Sequence, residues 1–181
     1  MMILVTGGCR SGKSALAMDL AMRAEGPRTF LATAQVYDEE MAARVARHKA
    51  GRPPGWGLVE EPLRVPEALA EALRGSRTVL LDCVTLWISN LLCAEETLSE
   101  DAATAHAEAL AAAARAAGRT VVVVTNEVGW GVVPPTPLGR AFRDCAGRAN
   151  QVLAREADEV WMAVSGLALP LKTSHGGLAN V

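Results

Sequence analysis

Residues 7–14, Gly7-Gly8-Cys9-Arg10-Ser11-Gly12-Lys13-Ser14, match the pattern GxxxxGK[ST]. The apolar run Ile3 to Thr6 stands directly before them and the helix-patterned stretch Lys13 to Ala24 begins within them, the strand and helix context that this motif requires. Its glycines let the backbone turn tightly enough for successive N–H groups to converge on phosphate oxygens, and the helix that follows points its positive end at the same place. By average residue frequencies a chance match in a chain this long occurs on the order of one per cent of the time. The motif predicts that Gly7, Gly8, Cys9, Arg10, Ser11, Gly12, Lys13 and Ser14 bind a nucleoside triphosphate, with Lys13 on the β/γ oxygens and Ser14 on Mg²⁺.

Such a site also calls for a carboxylate ending a neighbouring buried strand, to hold the metal or its water shell. Val79-Leu80-Leu81-Asp82 supplies one, and Asp82 is the second expected Mg²⁺ ligand, although an aspartate there can also cap the next helix. Strand-like runs recur at Ile3 to Thr6, Thr29 to Ala32, Thr78 to Asp82, Thr120 to Thr125 and Glu159 to Val164, with helical stretches between them. That alternation predicts an α/β chain with a parallel sheet covered by helices; with the phosphate motif, the expected fold is a three-layer P-loop NTPase of RecA-like kind, its central sheet mostly parallel with an antiparallel strand after Gly166. Glu39 to Lys49 fits a helix. Thr97 and Glu100 stand at capping-box spacing ahead of the Ala-rich helix Ala102 to Ala117, which Gly118 ends.

The chain has 181 residues, about one domain. Pro53-Pro54-Gly55 and Val133-Pro134-Pro135-Thr136-Pro137 break apolar structure that resumes directly after each, so they read as loops within a single nucleotide-binding catalytic domain spanning 1–181, whose last residues, 173–181, fray. A formal charge of −2 gives no general affinity for nucleic acid or anionic membrane, which leaves small molecules as the expected partners. Apolar runs are strand-sized and far below the ~20 residues of a membrane span. The N-terminus lacks the pattern of a signal peptide, and a cytoplasmic location is expected. Cys9, Cys83, Cys93 and Cys145 show no metal spacing and read as free, mostly buried thiols.

Further blocks stand in order along nearly the whole chain. They are Asp38-Glu39-Glu40-Met41 leading to Arg44 and His48, Gly51-Arg52-Pro53 with Trp56, and Asp82-Cys83-Val84-Thr85-Leu86-Trp87 with Asn90-Leu91-Leu92. Then follow Thr125-Asn126-Glu127-Val128-Gly129 with Val132-Val133-Pro134, Phe142-Arg143-Asp144 with Ala146-Gly147-Arg148 and Asn150-Gln151, and Ala157-Asp158-Glu159-Val160-Trp161. Together they resemble the bifunctional adenosylcobinamide kinase / adenosylcobinamide-phosphate guanylyltransferase family. The resemblance implies two reactions: phosphorylation of the aminopropanol hydroxyl of adenosylcobinamide by ATP or GTP, and transfer of GMP from GTP to that phosphate through a guanylylated histidine. It makes His48 the catalytic nucleophile and brings Ala32, Thr33, Ala34, Lys49, Ala50, Gly51, Arg52 and Glu60 into nucleotide binding. It also implies a homo-oligomer, a trimer in the family.

His48 suits that role chemically. Arg44 lies one turn away in a cationic segment, where like-charged neighbours favour the neutral, nucleophilic ring. The same arginines can neutralise an α-phosphate under attack. For Glu60, a carboxylate accepts from both the N1–H and the exocyclic amine of guanine; a surface charge beside Glu61 is the alternative. The Glu127 to Pro137 loop borders either the corrinoid or a subunit contact, His106 is expected to face solvent, and His175 has no role. Two other functions remain open. A plain P-loop small-molecule kinase without nucleotidyl transfer has no need of His48, and a P-loop switch would need a base-reading element of the NKxD kind, which the chain lacks.

Overall fold

Runs with valine or leucine on both alternating faces call for strands covered on both sides, and the computed structural model, which describes residues 1–35, 39, 54–94 and 98–173, has them there. Strands β1 (Met2–Gly7), β2 (Arg28–Ala32), β3 (Gly57–Glu60), β4 (Thr78–Asp82), β5 (Thr120–Val124), β6 (Glu159–Val164) and β7 (Leu167–Lys172) form one sheet in the order β3-β2-β4-β5-β1-β6-β7. All neighbouring pairs are parallel except β6 with β7, which closes the edge as an antiparallel hairpin.

Alternate residues divide between two cores. Met2, Leu4, Leu31, Val79, Leu81, Val121 and Val123 face α2 (Val65–Gly75), α3 (Val84–Ala94), α4 (Glu100–Ala116) and α5 (Pro137–Glu156). Ile3, Val5, Phe30, Leu80, Val122 and Val124 pack instead on Ala17, Leu20 and Ala21 of α1 (Lys13–Met22). The mostly parallel, three-layer α/β arrangement expected from the sequence is therefore present, including the antiparallel strand after Gly166.

Several local expectations are corrected. α4 starts at Glu100 rather than Ala102, and its cap is Ser99, whose Oγ accepts from Ala102 N at 3.1 Å; Thr97 lies outside the described residues. The Pro-rich segment ends as a helix start, with Thr136 Oγ1 accepting from Gly139 N at 3.1 Å and Pro137 opening α5, where a missing N–H costs nothing. His106 does not simply face solvent: it is half-buried, edge-on to Trp87 with ring centroids 5.9 Å apart. Of the four free cysteines only Cys83 and Cys145 are buried, because Cys9 sits in the glycine-rich loop and Cys93 on the exposed end of α3. The helix expected over Glu39 to Lys49 lies, apart from Glu39, outside the described residues, as does most of the expected frayed tail. Among the described residues no helix is long and apolar enough to cross a membrane.

Candidate active site

The loop between β1 and α1 departs from ordinary backbone at the points the motif predicts. Gly7, Arg10 and Gly12 have φ of 154°, 58° and 95°. A non-glycine residue in the left-handed region costs ~1–2 kcal/mol, so Arg10 stores strain at a place where strain accompanies function. Lys13 Nζ reaches back across the loop to donate to Gly8 O at 3.1 Å. Ser11 Oγ is buried with no hydrogen-bond partner, the condition of a group whose partner is a ligand.

The far end of the chain braces this loop. Gly166, in the β6–β7 turn, donates its N–H to Ser11 O at 2.9 Å, and a Cβ on Gly12 would stand 3.2 Å from Gly166 Cα. A Cβ on Gly7 would lie 2.5 Å from Ala163 O and 2.7 Å from Ser11 Oγ. Gly7→Ala is therefore expected to destabilise the chain by ~1–3 kcal/mol through overpacking, lowering the melting temperature by several degrees. Gly8→Ala, where nothing lies within 4 Å, should leave the melt unchanged. Equal melts for the two variants would refute the steric account.

The other predicted residues gather on the same edge, where the strands end. Asp82, half-buried, ends β4 and is in register with Ala32 of β2, which is in register with Glu60 of β3. Thr33 joins them: its N–H donates to Asp82 O at 3.2 Å, its Oγ1 accepts from Cys83 N at 2.9 Å and its hydroxyl donates to Cys83 O at 2.8 Å. Asn90 of α3 holds the turn from below, with Nδ2 donating to Thr33 O at 2.7 Å. Burial pushes the Cys83 thiol up to about 11, with the Asp82 charge adding to this and Lys13 among the groups opposing it. Glu61 is occupied locally, its Oε1 accepting from Leu63 N and Arg64 N at 2.9 and 3.0 Å. These bonds hold its carboxyl below the usual range. Glu60, the last residue of β3, is exposed at this edge. His48, Lys49, Ala50, Gly51 and Arg52 lie outside the described residues.

Ser14 and Asp82 offer one hydroxyl and one carboxylate. Among the described residues no three His, Cys, Asp or Glu side chains converge on a metal position. That donor set fits Mg²⁺, which takes one or two protein oxygens and completes its shell with phosphates and water.

A family model described as cobinamide kinase / cobinamide phosphate guanyltransferase matches residues 3–171. The chain belongs to this cobinamide kinase / guanyltransferase family. Three relatives carry the name bifunctional adenosylcobalamin biosynthesis protein. Those of Escherichia coli and Salmonella typhimurium are each 43% identical over 95% of this chain and 100% of their own length. That of Pseudomonas aeruginosa is 40% identical over 93% of this chain and 96% of its own. The matched span takes in the phosphate loop, Asp82 and all of the strands but the first residue of β1 and the last of β7.

Sequence reasoning missed the double Thr33–Cys83 bond and a pairing of Thr6 with Glu127, whose hydroxyl donates to a carboxylate oxygen. Along the sequence Thr125-Asn126-Glu127 shows only as one of the matching blocks and as the start of the Glu127 to Pro137 loop. Nothing along the chain signals that its glutamate returns to the start of the loop.

Proposed function

We propose that this chain phosphorylates adenosylcobinamide on its aminopropanol hydroxyl with ATP or GTP, then transfers GMP from GTP to that phosphate through a guanylylated His48. The products of the second reaction are adenosylcobinamide-GDP and pyrophosphate. Residues 1–181 act as one catalytic domain. The observation that carries the reading is the family match over residues 3–171, falling on a chain whose glycine-rich loop and Asp82 share one edge of the sheet.

One cradle serves both reactions. Charge builds on the β-phosphate when the γ-phosphoryl leaves, and on pyrophosphate when GMP leaves, and both lie where Lys13 and the loop N–H groups point. Ser14 and Asp82 hold Mg²⁺, which when bound neutralises the same oxygens. From Gly7 to Glu60 the edge crosses four strand spacings, about 19 Å, room for an extended nucleotide with phosphates at the loop, Ala32 to Ala34 along its length and guanine at Glu60; Lys49 to Arg52 are assigned to nucleotide binding by the resemblance alone. In the transfer, the His48 ring nitrogen bonds to the α-phosphorus as pyrophosphate departs; the acceptor phosphate oxygen then displaces the imidazole. Dividing a difficult displacement in two, with the donor already anchored, lowers its entropic cost. The reading also makes the enzyme a cytoplasmic homo-oligomer, trimeric as the resemblance implies.

The test is incubation with Mg²⁺ and GTP labelled at the α or the γ position, followed by denaturing separation. Acid-labile α label on the protein and γ label on cobinamide are expected. Phosphorylated cobinamide without α label on the protein would leave a plain kinase and overturn the transfer.

A further inference from the structure

An alcohol attacking a phosphoryl group must lose its proton as the new bond forms, and a positioned side chain that takes it contributes ~10²–10⁴-fold. The described residues that end β4, β5 and β1 offer few candidates. Asp82 is committed to the metal, Lys13 is a cation, and Cys83 is buried beneath the edge, with its backbone bonded to Thr33. Thr6, Ser11, Thr125 and Asn126 are neutral. The remaining carboxylate is Glu127.

Its position is closely determined. Glu127 leaves β5, the strand between the phosphate-loop strand and the Asp82 strand. Thr125 N donates to Val5 O at 2.9 Å and Glu127 N to Gly7 O at 3.2 Å, so the backbone of Glu127 is tied to the first glycine of the loop. The segment is pinned from behind: Thr125 Oγ1 donates to Asn150 Oδ1 at 2.6 Å, Asn150 Nδ2 to Asn126 O at 3.1 Å, and Asn126 Nδ2 to Thr85 Oγ1 at 2.5 Å. The half-buried carboxylate accepts from the Thr6 hydroxyl through Oε1, which orients it and leaves Oε2 for a ligand. Beyond it the chain turns outward through Trp130, Val132 and Val133, which are 70%, 95% and 60% exposed, an apolar rim suited to a large and mostly uncharged acceptor.

We propose that Glu127 is the general base of the phosphoryl-transfer step, and that it has no part in guanylyl transfer. The assignment rests on the reading that this chain phosphorylates an alcohol. The acceptor oxygen bonds to the γ-phosphorus while the bond from that phosphorus to the β,γ-bridging oxygen breaks. The hydroxyl proton passes to Glu127, the nucleoside diphosphate departs, and Glu127 returns the proton to water. Guanylyl transfer needs no such base, because its acceptor is already an ionised phosphate and its first nucleophile is an imidazole.

The experiment compares wild type, Glu127→Gln and Thr6→Val with labelled GTP, Mg²⁺ and cobinamide, and checks each variant's thermal melt. Glutamine still accepts from Thr6, so the fold is retained while the base is lost. In Glu127→Gln the kcat for γ transfer to cobinamide should fall ~10²–10⁴-fold with KM for GTP held, while α label continues to appear on the protein at the wild-type rate. Thr6→Val, which removes the orienting donor and keeps the base, should lose less. Near wild-type phosphorylation by Glu127→Gln would overturn the assignment, as would recovery of that variant at high Mg²⁺, which marks a metal ligand. An equal fall of both transfers in Glu127→Gln and Thr6→Val would make the pair a strut. A wild type that never moves γ label to cobinamide would instead overturn the kinase reading on which the assignment stands.

Discussion

In a His48→Ala chain the α label of GTP should vanish from the protein while cobinamide still acquires the γ label. In the proposed reading the two reactions use different nucleophiles on different phosphorus atoms: an imidazole at the α position and the substrate hydroxyl at γ. Removing the imidazole therefore removes the covalent intermediate, and with it adenosylcobinamide-GDP formation, without touching the Gly7 to Ser14 loop that both reactions share. Loss should be complete to the limit of detection, because a neighbouring side chain cannot take over a displacement that depends on alignment with the departing pyrophosphate. The measurement is retained label on denatured protein, with exchange of labelled pyrophosphate into GTP as an independent reading of the same half-reaction. Persistent α label on His48→Ala would place the nucleotide on another residue.

Lys13→Ala is expected to give the opposite pattern, with both activities lost together. Lys13 opens α1 and its ammonium lies against the loop at Gly8 O, where either reaction builds negative charge on the β-phosphate. Losing one preorganised donor of this kind costs ~10²–10³-fold. The fold should hardly notice, since the side chain gives up one hydrogen bond worth about 1 kcal/mol net. Steady-state rates for both reactions, measured beside a thermal melt, check this. A Lys13→Ala enzyme that kept one activity at full rate would show that the two reactions use separate phosphate sites.

These contrasts follow from what could be read along the chain and what could not. The loop is legible because its chemistry is contiguous: eight adjacent residues carry glycines, lysine and hydroxyl at fixed spacing. Asp82 is legible because it follows the apolar run Val79 to Leu81 at the end of its strand. β3 is not, because four residues at an exposed edge beginning with glycine carry neither alternation nor a buried run. α3 is obscured for the opposite reason: Val84, Trp87, Ile88, Leu91 and Leu92 are all buried, so apolar residues surround the helix and erase its period. The Thr33–Cys83 bonds and the Thr6–Glu127 pair join residues 50 and 121 apart. The pairing of β2 with β4 brings the first partners together and that of β1 with β5 the second, and no local pattern encodes that strand order.

The contact between Gly166 and Ser11 spans nearly the whole chain. During synthesis the phosphate-loop sequence leaves the ribosome well before the turn that braces it. A nascent chain stopped before residue 166 carries the complete motif yet lacks the Gly166 N–H that Ser11 O accepts and the β7 strand that covers β6. A chain truncated there is expected to keep the motif but lose the brace on its loop, and so to bind nucleotide more weakly than the whole chain.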